Sequence, residues 1–338
     1  MESLIVPDKS AYTAENIAIS VLGGLAAAVM FAVVARGGVS GLMLAHLAPL
    51  PIMIIALGYG LRHGASAALL ATAILSIYPH PVVGMIYSMM VAAPAWLASF
   101  VASGAPRGKR NLIASDYPGW GATAPAAFIA LIVSLWLIVA SLSFGSLDEA
   151  LNPVRARAFL ILDEMIKNNK SLEGKFDPVA LSGSVAMAIP AFVAGYTVMI
   201  HIVNLWIAGR LSQVSGLMTS PWPDIAEGFR APKPIGGIFL SGLALSIFSG
   251  PSAAIGFVLV STMGLVLSLQ GLAVAHARLR ARPNGMIILA VVYFLVGLLG
   301  WPLVPFIFIG LADLVFDFRR RPPTGAASPR DSATPKAD

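Results

Sequence analysis

The sequence predicts an all-α protein, a polytopic bundle of transmembrane helices. Charged residues form 11% of the 338 positions and apolar residues 57%, whereas soluble domains are about 25% charged. The apolar residues occur in continuous blocks of about 16 to 25 residues, which as helices can cross a hydrocarbon core of roughly 30 Å. The blocks lack the alternation of barrel strands, and a helix satisfies its own backbone hydrogen bonds in lipid.

We predict ten membrane-spanning segments from these blocks. Turn-forming residues separate them, as in ProHisPro at 79–81 and GlyTrpPro at 300–302. The segments at 64–79, 235–250 and 285–300 have only 16 residues each, so a count of eight spans with re-entrant pieces is the alternative. The ten segments are 15–35, 40–61, 64–79, 82–103, 122–145, 184–208, 235–250, 254–277, 285–300 and 302–317.

The basic residues indicate how the predicted bundle is oriented. With the amino terminus in the cytoplasm, 16 of the 22 lysines and arginines fall on the cytoplasmic side, including the cluster at 107–110. Of the six on the other side, five lie between residues 146 and 183. This distribution satisfies the positive-inside rule. It predicts that both termini are cytoplasmic, so a tag at residue 170 should be accessible from outside a bacterial inner membrane and one at 330 should not.

The chain is predicted to form one transmembrane domain, residues 1–321, with an extracytoplasmic amphipathic insertion at 146–183. A Pro-, Ala- and Ser-rich tail at 322–338 is expected to be disordered. Within the insertion, apolar residues recur at helical spacing between charges, which is typical of a helix lying on the membrane interface. These residues are Ala158, Phe159, Leu162, Met165 and Ile166. We interpret the helix as a lid on the bundle, and a docking surface for a partner is the alternative.

Composition and motifs argue against several function classes. The chain has no cysteine, which excludes disulfides, thiolate metal sites and cysteine nucleophiles. It has no His-Glu-x-x-His zinc motif, Gly-x-Ser-x-Gly elbow or Walker loop, so we expect no enzyme activity, metal or cofactor. The net charge of +6 is explained by membrane orientation, and the expected partner is the lipid bilayer rather than nucleic acid.

Polar side chains within the spans are the candidate functional residues, because they are costly in lipid. In the second span, His46 is followed by Pro49 and Pro51, which remove backbone donors and should break or kink the helix. Carbonyl groups freed by such a break can bind an ion or solute when they line a cavity. An ordinary proline kink, with His46 hydrogen-bonded to a neighbouring helix, is the alternative.

Three further polar residues lie in the sixth and eighth spans. His201 and Asn204 are three residues apart and share a helix face, where they contact either a solute or a neighbouring helix. Gln270 precedes His276 and is the better candidate for a buried role, since His276 lies near the basic end of its helix.

The last span carries two carboxylates on one face, Asp313 and Asp317. We expect Asp317 to pair with one of Arg319 to Arg321 at the water boundary, whereas Asp313 lies a turn deeper and needs another partner. A proton-coupled carrier would require Asp313 to face a water path rather than an arginine. The complete set of predicted substrate-binding residues is His46, Pro49, Pro51, His201, Asn204, Gln270 and Asp313.

The first span contains a stripe of small residues at intervals of four, Gly24, Ala28 and Ala32. Such stripes let helices approach closely. Packing within the bundle is the favoured interpretation, and packing against a helix of another subunit is the alternative.

Three segments together, Leu47 to Gly64, Leu267 to Arg280 and Phe308 to Arg321, resemble the YybS-like family of uncharacterised bacterial membrane proteins. The resemblance covers roughly residues 15–321. Its most specific part is a closing Gly-x-x-Asp-x-x-x-Asp-Phe-Arg pattern. The residues of this pattern are Gly310, Asp313, Asp317, Phe318 and Arg319.

That family is similar, more distantly, to the substrate-binding S components of energy-coupling-factor transporters. The resemblance implies a bundle that captures a vitamin or metal ion outside the cell. It also implies coupling through the stripe of Gly24, Ala28 and Ala32 to a transmembrane subunit with ATPases. We therefore hypothesise a solute-binding subunit that lacks its own ATPase. The competing hypothesis is a structural or assembly protein of the cell envelope without a solute site.

Overall fold

The computed structural model describes residues 13–104, 117–169, 172, 174–218 and 222–319. The basic cluster at 107–110 and the tail at 322–338, both interpreted above from sequence, lie outside these residues.

The described residues form α-helices, one 3₁₀ turn and one π-helix. The 3₁₀ turn is Val33–Arg36 and the π-helix is Ser88–Ala92. The α-helices are α1 (Ala14–Ala32), α2 (Gly38–His46), α3 (Pro49–Gly58), α4 (Leu61–Ile77), α5 (Pro81–Tyr87), α6 (Ala93–Ala102), α7 (Tyr117–Phe144), α8 (Leu147–Ala150), α9 (Asn152–Lys167), α10 (Pro178–Val214), α11 (Ile225–Gly228), α12 (Pro234–Leu245), α13 (Gly250–Leu279), α14 (Gly285–Leu299) and α15 (Leu303–Phe316).

Six helical segments of the described chain are long and apolar enough to cross a membrane. The pair α14 and α15 would give a seventh if it counts as one span, and its axes are bent by 119° at the GlyTrpPro break. Helices α4 and α12 are apolar but shorter. The six segments are Ala14–Ala35, Gly38–Gly58, Pro81–Ala102, Gly119–Phe144, Pro178–Val214 and Gly250–Leu279.

Each of the ten predicted segments coincides with a helix or with consecutive helices of the structure. The predicted second segment comprises α2 and α3, and the predicted fourth comprises α5, the π-helix and α6. Helical membrane architecture is therefore confirmed, and the short segments that left the span count open are the short or bent helices.

The long helix α10 joins two packed clusters of buried side chains. The first cluster involves α1, α3, α4, α5 and α6 and includes Ile52, Met53 and Leu75. The second involves α7, α12 and α13 and includes Leu137 and Leu267. Helix α10 contributes to both clusters, and its 37 residues extend about 55 Å, well beyond the hydrocarbon core. Alanine is common in both clusters, which lets the helix backbones approach closely.

The predicted amphipathic helix of the insertion is α9. Leu147 and Leu151, at its amino-terminal side, are buried in the second cluster and anchor the insertion to the bundle. Ala158 is buried against α10, while Met165 is exposed. The helix thus packs along the bundle through one edge, and its role as a lid stays a prediction.

A glycine pair sets the closest helix crossing, between α13 and α15. A Cβ atom at Gly310 would lie 1.9 Å from the carbonyl oxygen of Leu267, and one at Gly271 would lie 2.0 Å from that of Phe306. Both distances are far below van der Waals contact, so the backbones meet only because neither residue has a side chain. This crossing explains the glycine of the closing sequence pattern.

The small-residue stripe of α1 faces the interior of the chain. Ala28 is buried, and a Cβ atom at Gly24 would lie 2.8 Å from the carbonyl oxygen of Ala67 in α4. Ala32, the third residue of the stripe, is exposed. Gly24 and Ala28 are therefore buried within the bundle, Gly24 against α4.

We predict that Gly310→Ala destabilises the bundle by about 1–3 kcal/mol, because overpacking a rigid contact forces the helices apart. Thermal unfolding of the purified protein in detergent measures the change. The matched control is Gly297→Ala in α14, where no atom lies within 4 Å of the added Cβ. Equal unfolding temperatures for the two variants would contradict the close crossing.

Candidate functional site

The second span is interrupted between His46 and Pro49. The amide of Ala48 donates to the Ala45 carbonyl at 3.1 Å, and that of Leu50 donates to the Leu47 carbonyl at 2.9 Å, both shorter steps than the α-helical one. Pro49 has no amide hydrogen to donate. In a continuous helix the amide of Leu50 would be the partner of the His46 carbonyl, so this carbonyl needs a donor from elsewhere.

Asn204 of α10 supplies that donor. Its Nδ2 donates to the His46 carbonyl and to the Ile200 carbonyl, each at 2.8 Å. Both amide protons are thereby used, which fixes the side-chain orientation. The other amide atom, Oδ1, is buried and has no hydrogen-bond partner in the described part of the chain. Asn204 is 2% exposed, so this oxygen is an acceptor without a donor at membrane depth.

The His46 ring lies on the outer side of the same break. Its Nε2 is 2.9 Å from the hydroxyl of Tyr196, and the two rings meet edge to face at a centroid distance of 5.4 Å. Tyr196 is exposed and stacks on Phe192. The His46–Tyr196 pair therefore closes the break on the side where α10 faces the surroundings.

One turn away, His201 connects α10 to the π-helix. Its Nδ1 lies 2.8 Å from the Thr197 carbonyl and its Nε2 lies 3.1 Å from the Val91 carbonyl. A neutral imidazole has one N–H and can donate to only one of these two oxygens, whereas a protonated ring donates to both. Val91 belongs to Ser88–Ala92, and single π turns are frequent at functional sites.

The structure therefore brings together three of the predicted substrate-binding residues, His46, His201 and Asn204. We call this group, together with Tyr196 and the Val91 carbonyl, the helix-break site. Pro49 and Pro51 contribute by removing donors from the start of α3, and both are at least half buried. The sequence indicated the break and the shared face of α10, but it gave no sign of the π-helix.

Gln270 and Asp313 lie elsewhere, in a buried polar network at the carboxyl ends of α13 and α15. Gln270 accepts a bond from the Ala231 amide at 2.7 Å and donates to Asp313 Oδ2 at 2.8 Å. Asp313 Oδ1 accepts from the Phe318 amide at 3.0 Å, and Oδ2 also accepts from Arg319 at 2.8 Å. Protein groups bind every polar atom of these two side chains. Their assignment to a substrate stays a prediction.

Arg319 completes this network, which we call the carboxyl-terminal latch (Gln270, Asp313 and Arg319). The side chains of Arg319 and Asp313 are 4% and 1% exposed. The guanidinium also donates to the Ala226 carbonyl at 3.0 Å and to the Phe229 carbonyl at 2.7 Å. A buried ion pair needs such additional hydrogen bonds to offset the loss of hydration.

The expected pairing of Asp317 with Arg319 to Arg321 is wrong for the described residues. Asp317 pairs with Arg230 instead, and Arg319 pairs with Asp313. The cause is the left-handed backbone of Asp317, with φ of 45°, which ends α15 and turns Arg319 back toward the bundle. Asp313 thus faces an arginine, so the condition stated for a proton-coupled carrier is not met.

Outside the spans, Arg280 links the end of α13 to the start of α11. It donates to Asp224 at 2.7 Å and to Glu227 at 2.5 Å. The hydrogen bond from Arg280 lowers the pKa of the Asp224 carboxyl. These exposed ion pairs hold α11 against the end of α13. Ala226 of α11 in turn accepts a hydrogen bond from Arg319 of the carboxyl-terminal latch.

The sequence reasoning missed several buried polar side chains, among them His63 and Tyr87. His63 is 1% exposed, and its Nδ1 lies 3.1 Å from the Ser20 hydroxyl, which links α4 to α1. The sequence placed His63 in a turn because arginine and glycine flank it. Tyr87 is also fully buried, and its hydroxyl has no hydrogen-bond partner among the described residues. The only sequence signal for His63 was its position between two apolar spans. No sequence signal pointed to Tyr87.

Two cavities flank the first half of α10. One, of about 490 Å³, lies between α9 and α10, and the other, of about 560 Å³, lies between α10 and α13. None of the predicted substrate-binding residues lines either cavity. Within the part of the chain that the structure describes, no group of three or more His, Asp or Glu side chains could hold a metal ion.

We predict that Asp313→Leu destabilises the protein by about 3–5 kcal/mol, because it leaves the buried Arg319 without an anion. The double variant Asp313→Leu/Arg319→Met should recover most of this loss, since it removes both charges. Thermal unfolding in detergent measures both effects. As a control, Arg280→Gln breaks only exposed ion pairs and should change the unfolding temperature little. A double variant no more stable than Asp313→Leu would contradict the latch.

Comparisons with known proteins identify the family but no characterised relative. No curated protein and no solved structure matches the chain. A family model described as predicted membrane protein, DUF2232, matches residues 25–314. This match runs from α1 into α15 and includes both the helix-break site and most of the carboxyl-terminal latch. The chain thus belongs to the DUF2232 family of membrane proteins.

Proposed function

We propose that this protein is a solute-binding membrane subunit that depends on a separate ATPase for energy. The observation that carries the proposal is the unpartnered Oδ1 of Asn204 at the break between α2 and α3. A buried acceptor without a donor costs about 1–3 kcal/mol. A solute that supplies the donor would recover this energy.

The chemistry of the helix-break site favours a solute with hydrogen-bond donors or positive charge. Pro49 and Pro51 remove amide donors from the start of α3, so the break presents mainly carbonyl oxygens. The oxygens of Asn204 and Val91 add to this set. Broken transmembrane helices bind cations and polar solutes in the same way, through unwound carbonyls near the bilayer midplane.

A solute can reach Asn204 only if the break opens, because Oδ1 is fully buried. The His46–Tyr196 hydrogen bond is the exposed contact that holds α2 against α10 there. We propose that its release lets α2 move away and opens the path.

The proposal of a separate energy source is supported by the absence of a Walker loop in the sequence, and a resemblance to S components, where it holds, would imply the same. In that case the coupling surface differs from the expected one, since Gly24 and Ala28 are buried within the bundle. The exposed outer face of α1, which includes Val21, Leu22 and Leu25, is the part of that helix open to a partner.

A structural or assembly role in the cell envelope is the second candidate. The observation that favours it is the position of the two cavities, which are lined by none of the predicted substrate-binding residues. In the carboxyl-terminal latch, protein groups already bind the carboxamide of Gln270 and the carboxylate of Asp313. In this alternative the Asn204 side chain only caps the broken helix, and its unpartnered oxygen slightly lowers the stability of the fold.

For the arrangement in the membrane, we propose ten crossings with both termini in the cytoplasm. In this topology α4 and α12 cross as short helices, and α14 and α15 each cross once, joined at the GlyTrpPro turn. The carboxyl ends of α13 and α15 lie together through the latch and through the bond from Arg278 to the Phe318 carbonyl at 2.9 Å, which agrees with both ends on one side.

We predict that the purified protein retains a small donor-bearing solute, detectable by native mass spectrometry in mild detergent. Asn204→Leu should lose this solute because it removes the acceptor. Gln213→Leu is the matched control: it replaces an amide side chain of the same helix, which bonds Arg210 outside the helix-break site, and it should keep the solute. The same preparation should contain an ATPase-bearing complex when isolated from cells that express one.

Absence of both a retained solute and an ATPase partner in the wild-type sample would support the structural role instead. Equal retention by wild type and by correctly folded Asn204→Leu would place the solute away from the helix-break site.

Cysteine labelling tests the proposed membrane topology. The chain contains no cysteine, so single cysteines can be introduced without first removing others. In intact spheroplasts an impermeant maleimide should label Lys175→Cys and Ser249→Cys, and should reach Arg282→Cys only after permeabilisation. All three positions are exposed in the structure. Labelling of Lys175→Cys and Arg282→Cys from the same side would overturn the topology.

A further inference from the structure

The groove between α9 and α10 has the features of a lipid site rather than of a gap between helices. Its volume is about 490 Å³, within the range of small-molecule sites. Its wall is apolar except for one arginine. The lining residues are Pro153, Val154, Arg157, Ala158, Ile161, Leu162, Val185 and Ile189.

The dimensions of the groove suit one acyl chain. The α9 residues that line it run from Pro153 to Leu162, which is about 14 Å along the helix axis. A segment of one acyl chain can lie over this length, parallel to α9. Leu160 and Met165 of α9 are exposed, so lipid surrounds the helix if it lies on the interface, as amphipathic helices with such a face do.

The charge of the groove indicates the headgroup. The other basic residues of α9 have partners, since Arg155 pairs with Asp148 at 2.5 Å and Lys167 pairs with Asp163 at 2.7 Å. Arg157 forms no ion pair or hydrogen bond with any residue that the structure describes. A guanidinium beside an apolar wall complements a phosphate attached to an acyl chain, because its planar donors match phosphate oxygens.

We propose that the groove between α9 and α10 binds one anionic phospholipid, with an acyl chain along Val154, Ala158 and Leu162 and its phosphate on Arg157. The site is separate from the helix-break site and does not depend on the solute proposed there. The bound lipid would fasten the amphipathic insertion to the bundle.

The test compares phosphatidylglycerol with phosphatidylcholine. The full chain in detergent is titrated with each lipid, and native mass spectrometry counts the lipids retained. We expect the wild type to retain one phosphatidylglycerol about fivefold more readily than one phosphatidylcholine, the effect of one arginine on one anionic headgroup. Arg157→Gln should abolish this preference, and the matched control Arg155→Gln should keep it.

A second variant tests the acyl-chain part of the site. Val185→Trp fills the groove from the α10 side, at a position that is 37% exposed, and should reduce retention of both lipids. If this variant does not fold, the headgroup preference of Arg157→Gln decides alone. The proposal is overturned if the wild type shows no preference, if Arg155→Gln loses it as fully as Arg157→Gln, or if folded Val185→Trp retains both lipids normally.

Discussion

Polar atoms inside a membrane-spanning bundle must bond to other protein groups, because lipid offers them neither donors nor acceptors. This constraint accounts for the arrangement of both polar regions of the protein. In the carboxyl-terminal latch, the Asp313 carboxylate and the Arg319 guanidinium are buried together, and backbone groups of Ala226, Phe229 and Phe318 hydrogen-bond to them. In the helix-break site, Asn204 caps the His46 carbonyl that the prolines deprive of its donor. Each polar side chain thus ties a helix end or break to a neighbouring helix.

The Asn204 Oδ1 is one of several buried polar atoms that have no hydrogen-bond partner among the described residues, and its position distinguishes it from the others. It lies at a helix break, on the long helix shared by both packed clusters, and one turn from a histidine whose two nitrogens face carbonyl oxygens. Unsatisfied polar atoms are rare in folded proteins and need an explanation. A site that binds a donor-bearing solute explains the cost, whereas a purely structural cap would be served as well by a residue without a spare acceptor.

Sequence patterns predicted those features that depend on local chemistry. The long apolar blocks predicted the helices, and Pro49 and Pro51 predicted the break in the second span. The position of Gln270 well inside its span predicted that its side chain is buried. Features that depend on tertiary geometry were not predictable in this way. The partner of Asp313 depends on a left-handed turn at Asp317, to which an aspartate gives little sequence signal. The Val91 carbonyl can bond His201 because Val91 lies in a π turn. The sequence around it is a continuous apolar run, which predicts an ordinary α-helix.

The family match covers both polar regions. The matched residues 25–314 include the broken second helix and the crossing of α13 with α15. The account depends most on the claim that the Asn204 oxygen is a ligand contact. An experimental structure of the protein in lipid nanodiscs tests it directly. We expect density for a solute or ion within hydrogen-bond distance of Oδ1. An oxygen surrounded only by apolar carbon atoms, or bonded to a protein donor, would contradict the claim.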